Sequence, residues 1–166
     1  QLDTGRRPWL ADHVVGNAAI FPGAGFIELA LAAAARWRDA RPLDIEELEI
    51  QAPMMLDGQH GRLSRLAIAP EDGRISVHSR EPATGEEWQL HATARIMKQS
   101  KGLLLERTAP GLPQREPDLI LDDHLAMASR LGLDYGPAFQ AIDRAWIEDE
   151  EVLGRINPTP VIEEQL

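Results

Sequence analysis

Histidine is the residue type through which this chain could do acid–base chemistry. The 166 residues include five, His13, His60, His78, His91 and His124, and no cysteine. The missing thiols remove disulfides, thiolate nucleophiles and cysteine-based zinc or iron–sulfur sites. Patterns of the HExxH, phosphate-loop and GxGxxG kinds are absent as well. His60 falls in the turn Asp57-Gly58-Gln59-His60-Gly61, His78 and His91 take polar positions in alternating segments, and His124 follows Asp122 and Asp123 at a helix start. These four are expected to be solvated, and their spacing suits no metal site.

His13 stands apart. It precedes the apolar run 14–21 and then Pro22-Gly23-Ala24-Gly25, where an apolar helix should begin. A histidine there borders a core, and the helix start exposes unpaired N–H groups and the positive end of the helix dipole. An imidazole with an unperturbed pKa of about 6.5 supplies a neutral base at pH 7. A base beside N–H donors that polarise a carbonyl oxygen is the arrangement of an enolisation site. The same residues also read as a hydrogen-bonded core histidine next to a tight strand-to-helix turn, and position alone favours that plainer reading.

Several elements must position these groups. Segment 23–37 carries Phe26, Ile27, Leu29, Ala30, Leu31 and four consecutive alanines, with charge only at Glu28 and Arg36. A helix so apolar on nearly every side is expected to be wrapped by other elements. Residues 45–50 and 63–69 read as strands, and Ile75, Val77 and Ser79 alternate with Arg74, Ser76 and His78. In 87–97 the alternation sets Trp88, Leu90, Ala92, Ala94 and Ile96 on one face and Gln89, His91, Thr93 and Arg95 on the other. One apolar helix followed by antiparallel strands implies an α+β sheet curled around that helix. Residues 99–117, with three prolines and two glycines, read as a linker dividing 1–98 from 118–166. Beyond it, 119–131 predicts a helix with Leu121, Leu125 and Ala128 on one stripe and Gly132 as its stop. Residues 139–147 and 152–156 read as strands joined by the acidic turn 148–151.

Composition narrows the partners. With 17 basic and 27 acidic side chains the formal charge is −10, so a phosphate-tracking surface would work against the chain's own field and nucleic acid is excluded as a partner. The most apolar stretch, 18–35, is interrupted by Pro22, two glycines and Glu28, unlike a bilayer span or a cleaved signal. No membrane association and a cytoplasmic location are expected. A hydrophobic content of 43% over this length supports one ordinary domain with a real core. The polar start, without methionine, and the ending Glu163-Glu164-Gln165-Leu166 read as those of a segment cut from a longer chain.

Two blocks carry a resemblance. Trp9-Leu10-Ala11-Asp12-His13 through Pro22-Gly23-Ala24-Gly25-Phe26 contains His13-Val14-Val15-Gly16-Asn17-Ala18-Ala19-Ile20-Phe21-Pro22. It resembles the HxxxGxxxxP motif of dehydratase domains from modular type I polyketide synthases. Gly132-Leu133-Asp134-Tyr135-Gly136-Pro137-Ala138-Phe139 is similar to that family's GYxYGPxF block. Residues 88–96 also resemble the late strand of its first half, so the resemblance covers nearly the whole chain. Asn17 stands at the motif glycine, preceded by Gly16, and Leu133 stands at the first tyrosine. Asparagine tolerates a left-handed backbone, so the loop geometry is expected to survive. The family's strand before the histidine motif has no counterpart here, nor does its later acid, an aspartate in an HPxxxD-like segment.

The resemblance implies a double-hotdog fold, with most of the first hotdog in 1–98, the start of the second in 118–166 and a substrate tunnel between the two hotdogs. It implies loss of water from a 3-hydroxyacyl thioester on an acyl carrier protein, giving an α,β-unsaturated thioester. His13 is then the base that removes the α-proton, and the Gly23 amide is the donor to the thioester carbonyl. Tyr135, Gly136, Pro137 and Phe139 line the tunnel near the absent acid. No metal or redox cofactor is implied, because the phosphopantetheine arm carries the substrate. The implied partners are the acyl carrier protein and neighbouring synthase domains, with a homodimer left open. Two rivals stand beside this reading. One is a cyclase or double-bond isomerase of the same fold, and the other is a non-catalytic structural or acyl-holding domain, which Asn17 favours.

Overall fold

The computed structural model describes residues 1–38, 44–56, 61–82, 85, 87–97 and 111–163. Its strands are β1 (His13–Val15), β2 (Ala18–Ala19), β3 (Ile45–Ile50), β4 (Leu63–Ile68), β5 (Arg74–Arg80), β6 (Gln89–Ile96), β7 (Leu119–Ile120), β8 (Leu133–Tyr135), β9 (Ile142–Glu148) and β10 (Glu151–Ile156). The helices are α1 (Gly23–Arg38), α2 (Leu121–Arg130) and α3 (Pro160–Glu163). They fall into two units. The first gathers Gln1–Arg7 with the described residues of Ile20–Glu106, and the second gathers Pro8–Ala19 with those of Arg107–Leu166. The histidine motif is therefore divided, with His13 in the second unit and Gly23 in the first.

In the first unit α1 packs on an antiparallel sheet of order β3-β6-β5-β4. Phe26, Ala30 and Ala34, four residues apart along one stripe of α1, are buried, as are Ile75, Val77, Ala92, Ala94 and Ile96 of the sheet. The rest of α1 departs from the expected all-round burial. Ile27 and Trp37 are each 40% exposed, because a single sheet offers a helix a single face.

The strand β6 corrects a second expectation. Val77 pairs with Ala92 while His78 pairs with Leu90, so His91 is an extra residue in the ladder, a β-bulge. A bulge reverses the side-chain alternation. Ala92, Ala94 and Ile96 face the core as expected, but Leu90 lies opposite His78 and so shares the outer face. Trp88 lies there too, with the guanidinium carbons of Arg65 and Arg80 at 4.6 and 4.9 Å from its ring.

The same bulge turns His91 inward, overturning the expectation that it is solvated. His91 is only 1% exposed. The Ala52 carbonyl can only accept, so Nδ1–H donates to it at 3.2 Å and Nε2 accepts from the Ser79 hydroxyl at 2.8 Å. Burial pushes the His91 pKa down, and the nearby Arg62 charge pushes the same way against the Ala52 hydrogen bond. His78 is half-buried, not solvated, and its pKa is lowered by burial and then by Arg65. The turn expected around His60 includes residues 57–60, which lie outside the described residues.

The second unit holds two small antiparallel sheets, β2-β1-β8 and β10-β9-β7, with α2 packed against β7, β8 and β9. Gly16 and Asn17, with φ of 57° and 69°, form a two-residue turn of type I′ between β1 and β2. Asn17 therefore has the left-handed backbone expected of it. In α2, Ala128 is buried with Leu121 and Leu125 half-buried on its stripe, and Gly132 at φ 77° ends the helix. The helix begins at Leu121 and not at Leu119, because Leu119 and Ile120 pair with Ala145 and Arg144. The strand expected at 139–147 begins at Ile142, because Pro137–Phe139 forms a 3₁₀ turn.

Most of the expected linker, 99–110, lies outside the described residues. Its end is tied to β9. Trp146 Nε1 donates to the Arg115 carbonyl at 3.0 Å, and the Arg115 guanidinium donates to the Ile147 carbonyl at 3.0 Å. Among the described residues no helix is long and apolar enough to cross a membrane.

Candidate functional site

The environment of His13 within the second unit starts from the pairing of β1 with β8. Val15 opposes Leu133, Val14 opposes Asp134, and His13 opposes Tyr135. Directly opposed residues of an antiparallel pair share a face, so the imidazole and the phenol stand side by side, with ring centroids 5.7 Å apart. Phe139, presented by the 3₁₀ turn, comes to 5.2 Å from His13 on a tilted approach. Trp9 reaches Phe139 at 6.3 Å. The half-buried His13 ring is thus flanked by two aromatic rings.

Asp12 connects the two motif blocks. Its backbone carbonyl accepts from the Gly136 N–H at 2.7 Å, and its carboxylate Oδ2 accepts from the Ala138 N–H at 2.9 Å. Gly136 is required by this approach, since a Cβ there would stand 2.5 Å from Asp12 Oδ1. The Tyr135 carbonyl accepts from Gln140 Nε2 at 2.8 Å, which fixes the other flank of the turn.

Of the residues expected at the site, His13, Tyr135 and Phe139 are brought together, and Gly136 and Pro137 form the turn between the last two. Gly23 is the first residue of α1 in the first unit. There Gly25 N–H bonds to the Pro22 carbonyl at 2.9 Å, and Gly23 N–H is one of the amides that a helix cannot satisfy from within.

Asp12 was not among the site residues expected from the sequence, yet it bonds across the chain to Ala138. The signal for it was the glycine at 136, whose need is for room. His124, expected to be solvated, is half-buried and lines an apolar pocket of about 410 Å³ with Leu119, Ile120, Ile142 and Val152. Its Nδ1 is buried and makes no hydrogen bond among the described residues.

Comparison with known proteins agrees with these motifs. The polyketide synthase dehydratase domain family matches residues 1–80, and the family described as the polyketide synthase dehydratase N-terminal domain matches residues 122–166. The erythronolide synthase EryA2 of Saccharopolyspora erythraea is 36% identical over 164 residues, which is 95% of this chain and 4% of that protein. The spectinabilin polyketide synthase system protein NorA′ of Streptomyces orinoci is 38% identical over 167 residues, 92% of this chain and 4% of that one. Among solved structures, the dehydratase domain from the CurH module of the curacin polyketide synthase superposes with a TM-score of 0.78 at 28% identity, covering 99% of this chain and 58% of that one. The erythromycin dehydratase superposes with a TM-score of 0.71 at 34% identity, covering 95% and 59%. This chain therefore spans a small part of the curated relatives and somewhat over half of the solved domains. The likeness places it in the α+β hotdog class expected from the sequence.

Proposed function

Because the chain belongs to the polyketide synthase dehydratase domain family, we propose that it serves the elimination of water from a 3-hydroxyacyl thioester held on an acyl carrier protein, giving an α,β-unsaturated thioester. The observation that carries this reading is the register of His13 opposite Tyr135, with Phe139 at 5.2 Å, which joins the two motif blocks around one imidazole. His13 takes the α-proton, the electron pair of that C–H bond becomes the new double bond, and the C–O pair leaves with the β-hydroxyl. The hydroxyl departs as water on protonation by a general acid, the role the resemblance gives to the family's later aspartate. The flanking rings restrict the orientation of the half-buried imidazole, which favours a base that must act in one direction.

The remaining assignments rest on the same reading. The Gly23 amide at the start of α1 is the proposed donor to the thioester carbonyl. Tyr135, Gly136, Pro137 and Phe139 are the proposed acyl-contacting residues. The phosphopantetheine arm presents the substrate, and the chemistry takes no metal or redox cofactor. The acyl carrier protein and neighbouring synthase domains are the proposed partners. The non-catalytic alternative drew on Asn17. That residue keeps the left-handed turn at φ 69°, so the motive for the alternative is gone.

The test is replacement of His13 by Ala and by Phe in the full-length protein. Turnover of a 3-hydroxyacyl thioester on a carrier protein should fall ~10²–10⁴-fold, with thermal melting retained. Turnover within a few-fold of the parent overturns the assignment.

A further inference from the structure

We infer that Asp12 is a positioning residue for His13. The inference rests on His13 being the base of the proposed elimination. Three observations carry it. Asp12 precedes His13 directly, so whatever holds Asp12 holds the start of β1. Its backbone carbonyl and its carboxylate both accept from the turn that carries Phe139, the first from Gly136 N–H at 2.7 Å and the second from Ala138 N–H at 2.9 Å. Gly136 has no room for a Cβ because the Asp12 side chain occupies that space.

The consequence is geometric. Ring contacts at 5.2 and 5.7 Å contribute to holding the imidazole, and they last only while Phe139 and Tyr135 keep their places. Tyr135 is set by the β1–β8 register, but Phe139 lies beyond the ladder on a three-residue turn. Within the turn Phe139 N–H bonds to the Gly136 carbonyl at 2.9 Å, and the Asp12 carboxylate adds a charge-assisted bond to its middle residue from outside, tying the whole turn to the residue before His13. The carboxylate is thus committed to the Ala138 amide, and its effect on the reaction passes through the imidazole it places.

The experiment compares Asp12→Ala, Asp12→Asn and Gly136→Ala in the full-length protein, with His13→Ala as control. Asp12→Ala should lower kcat ~10²-fold with KM little changed, the cost of a misplaced base. Asp12→Asn keeps an oxygen that can accept from Ala138 and should recover most of that loss. Gly136→Ala displaces the carboxylate without removing it and should behave like Asp12→Ala. A second readout does not depend on turnover. With ¹³C-labelled histidine, the His13 ring resonance, identified by its absence in His13→Ala, should be displaced by the flanking rings in the parent and in Asp12→Asn. It should relax toward the free-histidine position in Asp12→Ala and Gly136→Ala.

If Asp12→Ala lowers the melting temperature but leaves kcat and the His13 resonance as in the parent, Asp12 is merely structural and the inference is overturned. If Asp12→Ala does not fold, Gly136→Ala decides by the same two readouts. Undiminished turnover in His13→Ala overturns instead the reading on which the inference rests.

Discussion

Ser79 on β5 and His91 on β6 share a fully buried hydrogen bond of 2.8 Å across the bulge that turns the imidazole into the core. Ser79 Oγ also accepts from Arg62 Nε at 3.1 Å, and His91 Nδ1 donates to the Ala52 carbonyl. Each polar atom of the pair has a partner, which is the condition for keeping it inside. The neutral imidazole satisfies that network. An imidazolium would carry a second N–H toward a hydroxyl already held by a guanidinium.

This pair makes stability fall on mild acidification. Burial, then the Arg62 charge, holds the native His91 pKa below its ordinary 6.5, and His78 is lowered as well, by burial and then by Arg65. Between those lowered values and 6.5 the unfolded chain binds protons that the native chain does not. Stability is therefore full above the ordinary value and declines as pH falls toward the native one. Asp118 and Asp143 stay out of this window, because hydrogen bonds, chiefly from Ile147 N–H and Arg155, hold them below 3.8. Thermal melts from about pH 7.5 to about pH 5.5 should show a falling Tm, flattened in His91→Gln and flattened further with His78→Gln. An unchanged slope in the double variant refutes this account. His91→Leu should cost about 1–3 kcal/mol at pH 7 by stranding the Ala52 carbonyl.

The outer face of β6 offers a second test. If Trp88 lay in the core, Trp88→Ala would cost about 3–5 kcal/mol. Placed between Arg65 and Arg80, it should cost about 1–2 kcal/mol, the sum of two cation–π contacts of roughly 0.5–1 each. Denaturant unfolding of Trp88→Ala distinguishes the two values, and a loss near the core figure would place the bulge elsewhere.

Strand alternation was legible in the sequence up to this bulge and no further. Ile75, Val77 and Ser79 on β5 and Ala92, Ala94 and Ile96 on β6 face inward as their spacing indicates. A bulge is set by how two strands pair, and neither strand carries it alone, so Trp88, Leu90 and His91 were assigned to the wrong faces. The site shows the same division. His13, Tyr135 and Phe139 could be named from motif residues, and Asn17 from its tolerance of positive φ. The tie from Asp12 to Ala138 joins distant parts of the chain, and its one local sign, the glycine at 136, does not say which residue needs the room.

At the β1–β2 turn, Asn17→Gly should be neutral or mildly stabilising, because glycine adopts φ near 69° without steric cost. Asn17→Val should cost about 1–2 kcal/mol or more, since a β-branched residue resists that region. Equal melting temperatures for the two variants would show that the turn tolerates any residue.

The last prediction concerns the 166-residue chain tested as it stands: it should exchange the α-proton of a 3-hydroxyacyl thioester without expelling water. Loss of hydroxide needs a proton donor placed opposite the base. The carboxylates nearest His13 in sequence and in strand register do not serve. The Asp12 carboxylate accepts from the Ala138 amide. Asp134 opposes Val14 and, by strand alternation, points away from the face that Tyr135 shares with His13. The second unit also leaves Val152 and Ile156 68% and 69% exposed beside its apolar pocket, so the isolated chain should self-associate at high concentration. Incubation with a 3-hydroxyacyl thioester in deuterated buffer, read by mass spectrometry, separates the two events. Deuterium uptake without a loss of 18 Da is the expected result. Efficient water loss would mean that the acid lies within these residues, and Glu28, exposed on α1, would be the first side chain to replace.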